Sequence, residues 1–501
     1  MRECGVLMHI TSLPGPYGVG TMGKSAFEFV DFLEAAGQSW WQILPLSPTG
    51  YGDSPYQSAS AYAGNPYVID LDLLRQEGLV TQAELDSYFW CQSEEKVDYG
   101  ALYQNRWSVL RLCYSRFTGG EAFDTFCREN EGWLPDFALF MALKNATFGQ
   151  SWYNWEDGLK RRRPEALEKA RSTYADEIRF QCFVQFQFAR QWQALRSYAG
   201  SKGIRFIGDV PIYVPLDSVE VWSNPELFQL DEALVPTAVA GCPPDAFSED
   251  GQLWGNPLYR WDVMQKDGYA WWLRRMAAAG KLYDVVRLDH FRGFEAYWAV
   301  PYGEDTAKNG KWVKGPDHDF IATLLRELPQ LSLIAEDLGF LTSEVLALRD
   351  DFHLPGMKVL GFAFDSREPS EYLPHTYPEN SVCYTGTHDN MTTRQWFETA
   401  SKDAVQYAKE YMALTEKEGF VWGMIRTAYS SVSKLAIVPM QDFLELGAKS
   451  RMNFPGTLTD CNWTWRAKDG IISFDLAQRI QKLAILYGRK VVNNGETVSY
   501  I

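Results

Sequence analysis

The chain has 501 residues, 46% of them hydrophobic, so it can bury a large core. Its 64 acidic and 48 basic residues give a net charge of −16, and a surface this acidic repels the phosphates of nucleic acids and anionic lipids. The sequence also contains neither a signal-peptide pattern nor a run of about 18 apolar residues, so we expect no nucleic-acid partner and no membrane partner.

Short apolar runs typical of β-strands alternate with helical patterns along the chain. Strands that alternate with helices form parallel sheets, and eight such units are typical of a closed (β/α)8 TIM barrel in the α/β class. Amphipathic segments at 24–36, 177–199 and 342–350 predict three of the helices. The runs lie at 5–10, 39–45, 204–210, 283–289, 331–337, 357–364, 381–387 and 434–440.

Two long gaps between these runs predict insertions after strands 2 and 3 of the barrel. Residues 66–175 are expected to form a mostly helical insertion, with candidate helices at 85–90, 101–117 and 136–146. Residues 211–265, rich in Pro, Gly and Trp, predict an irregular insertion that serves as a lid. We therefore expect one barrel domain over 1–501, with both insertions overhanging its active face.

Eight cysteines are scattered along the chain, and none belongs to a Cys-x-x-Cys pair. A chain of this length needs no disulfide bonds to stabilise its core. We therefore expect reduced thiols and a cytoplasmic location.

Ionisable residues stand at the C-terminal ends of four of the runs. In a barrel these ends converge on one pocket, the usual position of catalytic residues. A single carboxylate at such a position often caps the following helix instead, but four such ends together favour one polar pocket. The residues are Asp209, Arg287, Asp289, His290, Glu336, His388 and Asp389.

Two carboxyl groups facing each other are what glycoside chemistry requires, one ionised and one protonated. Arg287 lies two residues before Asp289 on the same strand face, so its positive charge is expected to keep Asp289 ionised. Glu336 follows the apolar residues Leu333 and Ile334, which is consistent with a raised pKa. The roles of nucleophile and acid are therefore separable in principle.

Several segments of the chain resemble the signature segments of the amylomaltases, relatives of the α-amylases. They span most of the chain in the family's order. They are 9–15 (HITSLPG), 51–58 (YGDSPYQS), 208–213 (GDVPIY), 243–248 (PPDAFS), 251–257 (GQLWGNP), 287–292 (RLDHFR), 334–339 (IAEDLG) and 385–390 (TGTHDN).

The resemblance implies a 4-α-glucanotransferase that takes α-1,4-glucans as donor and acceptor, without a cofactor. It assigns Asp289 as the nucleophile, Glu336 as the general acid and base, and Asp389 as the residue that binds ring hydroxyls. Such retaining enzymes hold their two carboxyl groups about 5–5.5 Å apart. By the same resemblance, Arg287, His290, His388 and Asp209 line the cleaved glucose unit, Tyr56 and Trp254 stack on sugar or form the lid, and Asp365 is a weaker candidate.

The sequence alone leaves other functions open. The same carboxylates suit an α-glucan hydrolase, and a non-catalytic glucan-binding barrel is a further alternative. The segment 18–23 (GVGTMG) fits the G-x-G-x-x-G dinucleotide pattern, but prolines lengthen the preceding turn and the next run lacks the ribose-binding acid. The histidines lack zinc-site spacing, so no metal is expected. The tryptophan pairs at 40–41 and 271–272 are expected in the core.

Overall fold

A barrel of parallel strands organises the fold in the computed structural model, which describes residues 2–50, 52–244, 248–339, 341–365 and 370–490. The strands of the described chain are β1 (Glu3–Leu7), β2 (Trp40–Gln42), β3 (Arg205–Val210), β4 (Ala238–Cys242), β5 (Gln252–Pro257), β6 (Val285–Leu288), β7 (Ala296–Pro301), β8 (Lys311–Lys314), β9 (Leu333–Ala335), β10 (Gly356–Val359), β11 (Ser381–Tyr384) and β12 (Leu435–Pro439).

Eight of these strands form one parallel sheet in the order β10-β11-β12-β1-β2-β3-β6-β9. The two end strands come together where the backbone N–H of Ala335 donates to the carbonyl of Pro355, 3.0 Å away, so the sheet is nearly closed. Each of the eight predicted runs overlaps one of these strands. The predicted (β/α)8 barrel is confirmed.

The helices cover the barrel and build the insertion after β2. They are α1 (Lys24–Ala35), α2 (Leu71–Gln76), α3 (Gln82–Asp86), α4 (Tyr99–Arg116), α5 (Glu121–Glu129), α6 (Leu134–Ala146), α7 (Asp157–Lys160), α8 (Pro164–Thr173), α9 (Ala175–Ser201), α10 (Val219–Ser223), α11 (Trp261–Lys266), α12 (Ala270–Leu282), α13 (Arg292–Glu295), α14 (Asp317–Glu327), α15 (Ser343–Asp351), α16 (Thr393–Thr399), α17 (Lys402–Tyr411), α18 (Phe420–Ser430), α19 (Met440–Phe443) and α20 (Phe474–Leu486). Short 3-10 turns lie at Ile10–Ser12, Pro66–Val68, Trp152–Asn154, Pro225–Leu227, Leu360–Phe362, Pro374–Thr376 and Ala448–Ser450.

Helix α1 illustrates how the apolar pattern sets packing. Its residues Ala26, Phe29, Val30 and Leu33 recur at helical spacing and are all buried against the barrel. The predicted helices at 177–199 and 342–350 correspond in the same way to α9 and α15.

The insertion at 66–175 is helical, and α4 and α6 match the predicted segments 101–117 and 136–146. The prediction of a helix at 85–90 was wrong, because α3 ends at Asp86. The start of α3 is set by a capping box: the Thr81 side chain accepts from the backbone of Glu84, whose side chain accepts from the backbone of Thr81.

A second sheet lies beside the barrel and was not predicted. It is antiparallel, in the order β5-β4-β7-β8, and its first two strands come from the segment 211–265. These strands are short and contain glycine, so the segment has a weak strand pattern, and they pair with β7, which lies outside the segment.

The core contains both predicted tryptophan pairs. Trp41 and Trp272 are completely buried, and Trp40 and Trp271 nearly so. The Trp41 indole also donates a 2.7 Å hydrogen bond to the carbonyl of Met8, which satisfies its polar edge inside the barrel wall. No helix in the described ranges is both long and apolar enough to span a membrane.

Candidate active site

A cleft of about 690 Å³ opens at the C-terminal ends of the barrel strands, between the loop after β2 and the antiparallel sheet. The residues that line this cleft are far apart in the sequence. Of the ten residues predicted for the site, eight line it: Tyr56, Trp254, Arg287, Asp289, His290, Glu336, His388 and Asp389.

Asp289 and Glu336 leave adjacent strands, β6 and β9, and are held by the backbone. The N–H of Asp289 donates to the carbonyl of Val210, and the N–H of Glu336 donates to the carbonyl of Leu288. The Glu336 carboxylate accepts from the backbone N–H of His290 at 2.7 Å and from that of Leu338 at 3.0 Å. His290 has a φ of +48°, and this left-handed turn is part of the loop that presents its N–H to Glu336.

The two carboxyl groups differ in acidity. Burial raises the pKa of Glu336 to about 8, an increase that Arg287 opposes and the charge of Asp289 reinforces. Burial also raises the pKa of Asp289 to about 6, again against the effect of Arg287. At neutral pH these directions favour a protonated Glu336 beside an ionised Asp289, the pair that double displacement needs.

Arg287 is buried and joins two carboxylates. Its Nη1 donates to Asp209 Oδ2 at 2.7 Å and to Asp289 Oδ1 at 2.9 Å. The hydroxyl of Tyr56 donates to the same oxygen of Asp209 at 2.9 Å. Asp209 was expected to line the cleaved glucose, but it lies behind Arg287, facing a neighbouring cavity of about 50 Å³. It therefore contacts the cleft through Arg287 and Tyr56.

Asp389 is held by His388, which was predicted for the site, and by Asn453 and Arg451, which were not. Its Oδ1 accepts from Asn453 Nδ2 at 2.6 Å, its Oδ2 lies 3.2 Å from His388 Nε2, and its carbonyl accepts from Arg451. Burial alone would raise the pKa of Asp389, but His388 and Asn453 outweigh it and lower that pKa to about 2. Asn453 follows no barrel strand directly, so the strand-end signal could not find it.

Two separate groups of aromatic rings line the cleft. In one group Tyr56 stacks on His388, with ring centroids 5.2 Å apart, and Trp463 packs against both. In the other group Trp254 meets His290 edge to face at 4.8 Å. Trp463 was not predicted, because it lies outside the signature segments, the last of which ends at residue 390.

Asp365 lies after the 3-10 turn Leu360–Phe362 and is not among the residues that line the cleft; Phe362 of that turn is. Its assignment to the site therefore stays a prediction. Within the described ranges, no cluster of three or more His, Cys, Asp or Glu side chains is arranged to hold a metal ion.

Known proteins are similar to this chain in both sequence and fold. Residues 8–472 match the family described as 4-alpha-glucanotransferase. The 4-alpha-glucanotransferase of Clostridium butyricum is 49% identical over 486 residues, covering 96% of this chain and 100% of that protein, and the one from Thermus thermophilus is 48% identical over 496 residues, covering 96% and 98%. The solved structure of an amylomaltase from Streptococcus agalactiae in complex with acarbose superposes with a TM-score of 0.95 at 42% identity, covering 98% of this chain and 100% of that one.

Proposed function

This chain belongs to the 4-alpha-glucanotransferase family, and from this premise we propose that it moves glucanosyl units between α-1,4-glucans by a retaining double displacement through Asp289. It is a glucan-acting transferase. The observation that carries the mechanism is the pair Asp289 and Glu336, which share one cleft but favour opposite protonation states.

In the first half of the proposed reaction, a carboxylate oxygen of Asp289 attacks the anomeric carbon of the donor. The bond to the glycosidic oxygen breaks, and Glu336 gives its proton to that oxygen as the shortened glucan leaves. The ionised Asp389 accepts hydrogen bonds from hydroxyl groups of the distorted ring, and Arg287 stabilises the charge on Asp289 before attack. The product of this half is a β-glucosyl ester of Asp289.

In the second half, the 4-hydroxyl of another glucan or of glucose attacks the ester. Glu336, now ionised, takes the hydroxyl proton, and Asp289 leaves as a carboxylate. Two inversions restore the α configuration. This proposal carries the prediction that the two carboxyl groups lie about 5–5.5 Å apart during the reaction.

Water competes with the acceptor for the ester, so exclusion of water separates a transferase from a hydrolase. Trp254 supports transfer, because its indole packs on His290, whose backbone contacts Glu336, and in that position it shields the ester from water. An α-glucan hydrolase remains the second candidate, since the same carboxylates serve both reactions. A binding-only barrel is disfavoured by the intact set of Asp289, Glu336 and Asp389.

Maltooligosaccharides and glucose are the proposed donors and acceptors. Support comes from the relative from Streptococcus agalactiae, an amylomaltase whose structure was solved with acarbose. A cytoplasmic location stays a prediction.

Incubation of the purified enzyme with maltotriose tests the function. We expect a ladder of shorter and longer glucans while the total number of reducing ends stays constant, because each cleavage is matched by one transfer. Rising reducing ends would favour the hydrolase, and an unchanged substrate would contradict catalysis on this linkage.

A further inference from the structure

Trp312 is an exposed aromatic residue in the cleft that the reaction described above does not use. It lies on β8, the edge strand of the antiparallel sheet, and 41% of its surface is exposed. It lines the same cleft as Asp289 and Glu336. A sugar ring that stacks on this exposed indole would remove apolar surface from water, which is favourable.

The indole of Trp312 is held in place from two directions. The guanidinium of Arg292 lies 3.8 Å from the ring centroid, a cation–π contact, and the ring of Trp298 packs edge to face at 5.2 Å. Trp298 is the directly paired residue on β7, and its own indole donates to the carbonyl of Ala307. The indole of Trp312 is therefore preorganised. A flat apolar surface that stacks on it would cost the Trp312 side chain little conformational entropy.

Contacts place this indole on the general-acid side of the cleft. Arg292 follows His290 by two residues, and His290 donates its backbone N–H to Glu336. A general acid protonates the oxygen that joins the cleaved glucose to the next ring, so the acid side receives first the leaving glucan and then the acceptor.

The sheet register sets how far the indole is from the cleavage point. Leu253, Gly241, Trp298 and Trp312 form one row across the four strands, and Trp254 is the next residue after Leu253. Three strand spacings therefore separate the backbone positions of Trp254 and Trp312, about 14 Å. Trp254 packs on His290 beside the reacting carboxyls, so a ring that meets Trp312 is several sugar units further along the acceptor.

We propose that Trp312, held by Arg292, is a distal acceptor platform that makes the enzyme favour long glucan acceptors over glucose. The inference rests on the proposed function and adds a determinant of acceptor length to it. One apolar face of a glucose ring stacks on the exposed indole, while glucose bound next to Glu336 is too short to touch it.

A donor without a sugar leaving group isolates the acceptor side. With α-maltotriosyl fluoride, the C–F bond breaks as the ester on Asp289 forms, and fluoride leaves the acceptor positions empty of sugar. We expect Trp312→Ala to lower kcat/KM for maltopentaose as acceptor about tenfold, since loss of one aromatic contact is of this size, and to change kcat/KM for glucose less than twofold. Trp312→Phe keeps a ring and should restore most of the loss.

Tyr302→Ala is the matched control, because Tyr302 directly follows β7 of the same sheet and is 53% exposed but does not line the cleft. It should leave both acceptors unaffected. The inference would be overturned if kcat/KM fell equally for glucose and maltopentaose, or fell for neither. It would also be overturned if the loss changed with the length of the glycosyl fluoride used as donor. In each of these cases transfer itself would continue. If the wild-type enzyme transferred to neither acceptor, the proposed function would fail, and this inference with it.

Discussion

At the scale of single residues, the site depends on one buried guanidinium that serves two carboxylates. Arg287, which itself lines the cleft, contacts both Asp209 and Asp289, so one guanidinium orients the proposed nucleophile and links it to a carboxylate outside the cleft lining. Arg287 also limits the rise of pKa that burial causes at Asp289. Glu336 forms no such direct ion pair in the described chain, and its pKa rises further.

The difference in acidity predicts a bell-shaped dependence of kcat/KM on pH. Activity with maltotriose should fall below about pH 6, where Asp289 gains a proton and loses nucleophilicity, and above about pH 8, where Glu336 loses the proton it must donate. Asp389, with a pKa near 2, stays ionised throughout. A profile that stays flat to pH 10 would contradict the role of Glu336 as acid.

Substitution of either carboxyl group should remove nearly all turnover. Asp289→Asn and Glu336→Gln keep the size of the side chain, so the fold should remain, while kcat falls by at least about 10² because each role contributes that much or more. Thermal unfolding of each variant provides the control for folding. Activity within about tenfold of wild type would refute the assignment.

At the scale of elements, the antiparallel sheet supplies one wall of the cleft. Strand β5 carries Gln252 and Trp254, whose side chains are linked by a 3.2 Å hydrogen bond, and both line the cleft. Because β5 pairs with β4, and β4 with β7, this wall is a paired sheet rather than a free loop. We expect a wall of this kind to hold Trp254 in a fixed position beside the proposed ester.

Loss of the Trp254 indole should therefore let water reach the ester. We expect Trp254→Ala to raise the ratio of hydrolysis to transfer several-fold, measured as reducing ends formed per transfer product with maltotriose. Trp254→Phe, which keeps an aromatic ring at the same position, is the matched control. An unchanged ratio in the alanine variant would mean that Trp254 does not shield the intermediate.

At the scale of the whole molecule, the end of the barrel opposite the cleft is tied together by one buried arginine. Arg489 follows α20 and donates to the carbonyls of Glu3, Tyr429, Ser431 and Ser433 at 2.8–3.1 Å. Glu3 opens β1, and Ser433 precedes β12. The C-terminal segment thus connects the first and last strands of the barrel.

Removal of this connection should affect stability but not catalysis. Arg489→Ala leaves several buried carbonyls without their donor, so we expect the free energy of unfolding to fall by about 3 kcal/mol, seen as a lower denaturant midpoint. At 25 °C kcat/KM should stay within twofold of wild type. Lys482→Ala, at an exposed position of α20, should leave the midpoint nearly unchanged. A drop in kcat/KM at full stability would contradict this separation.

The sequence by itself determined the barrel and the positions of its ionisable strand ends. Both follow from local signals: short apolar runs specify buried strands, and a residue directly after such a strand must lie at the C-terminal mouth of the barrel. The carboxyls Asp289 and Glu336 are found in this way, because each lies within a few residues of its strand.

Only the tertiary structure decided what surrounds those carboxyls. Asn453 donates to Asp389, Asp209 pairs with Arg287 and lines a neighbouring cavity, and Trp312 reaches the cleft from an edge strand. Each of these placements depends on contacts between segments that are distant along the chain. The physical reason is that hydrogen bonds, burial and pKa shifts depend on distance in space, which periodicity along a sequence does not encode.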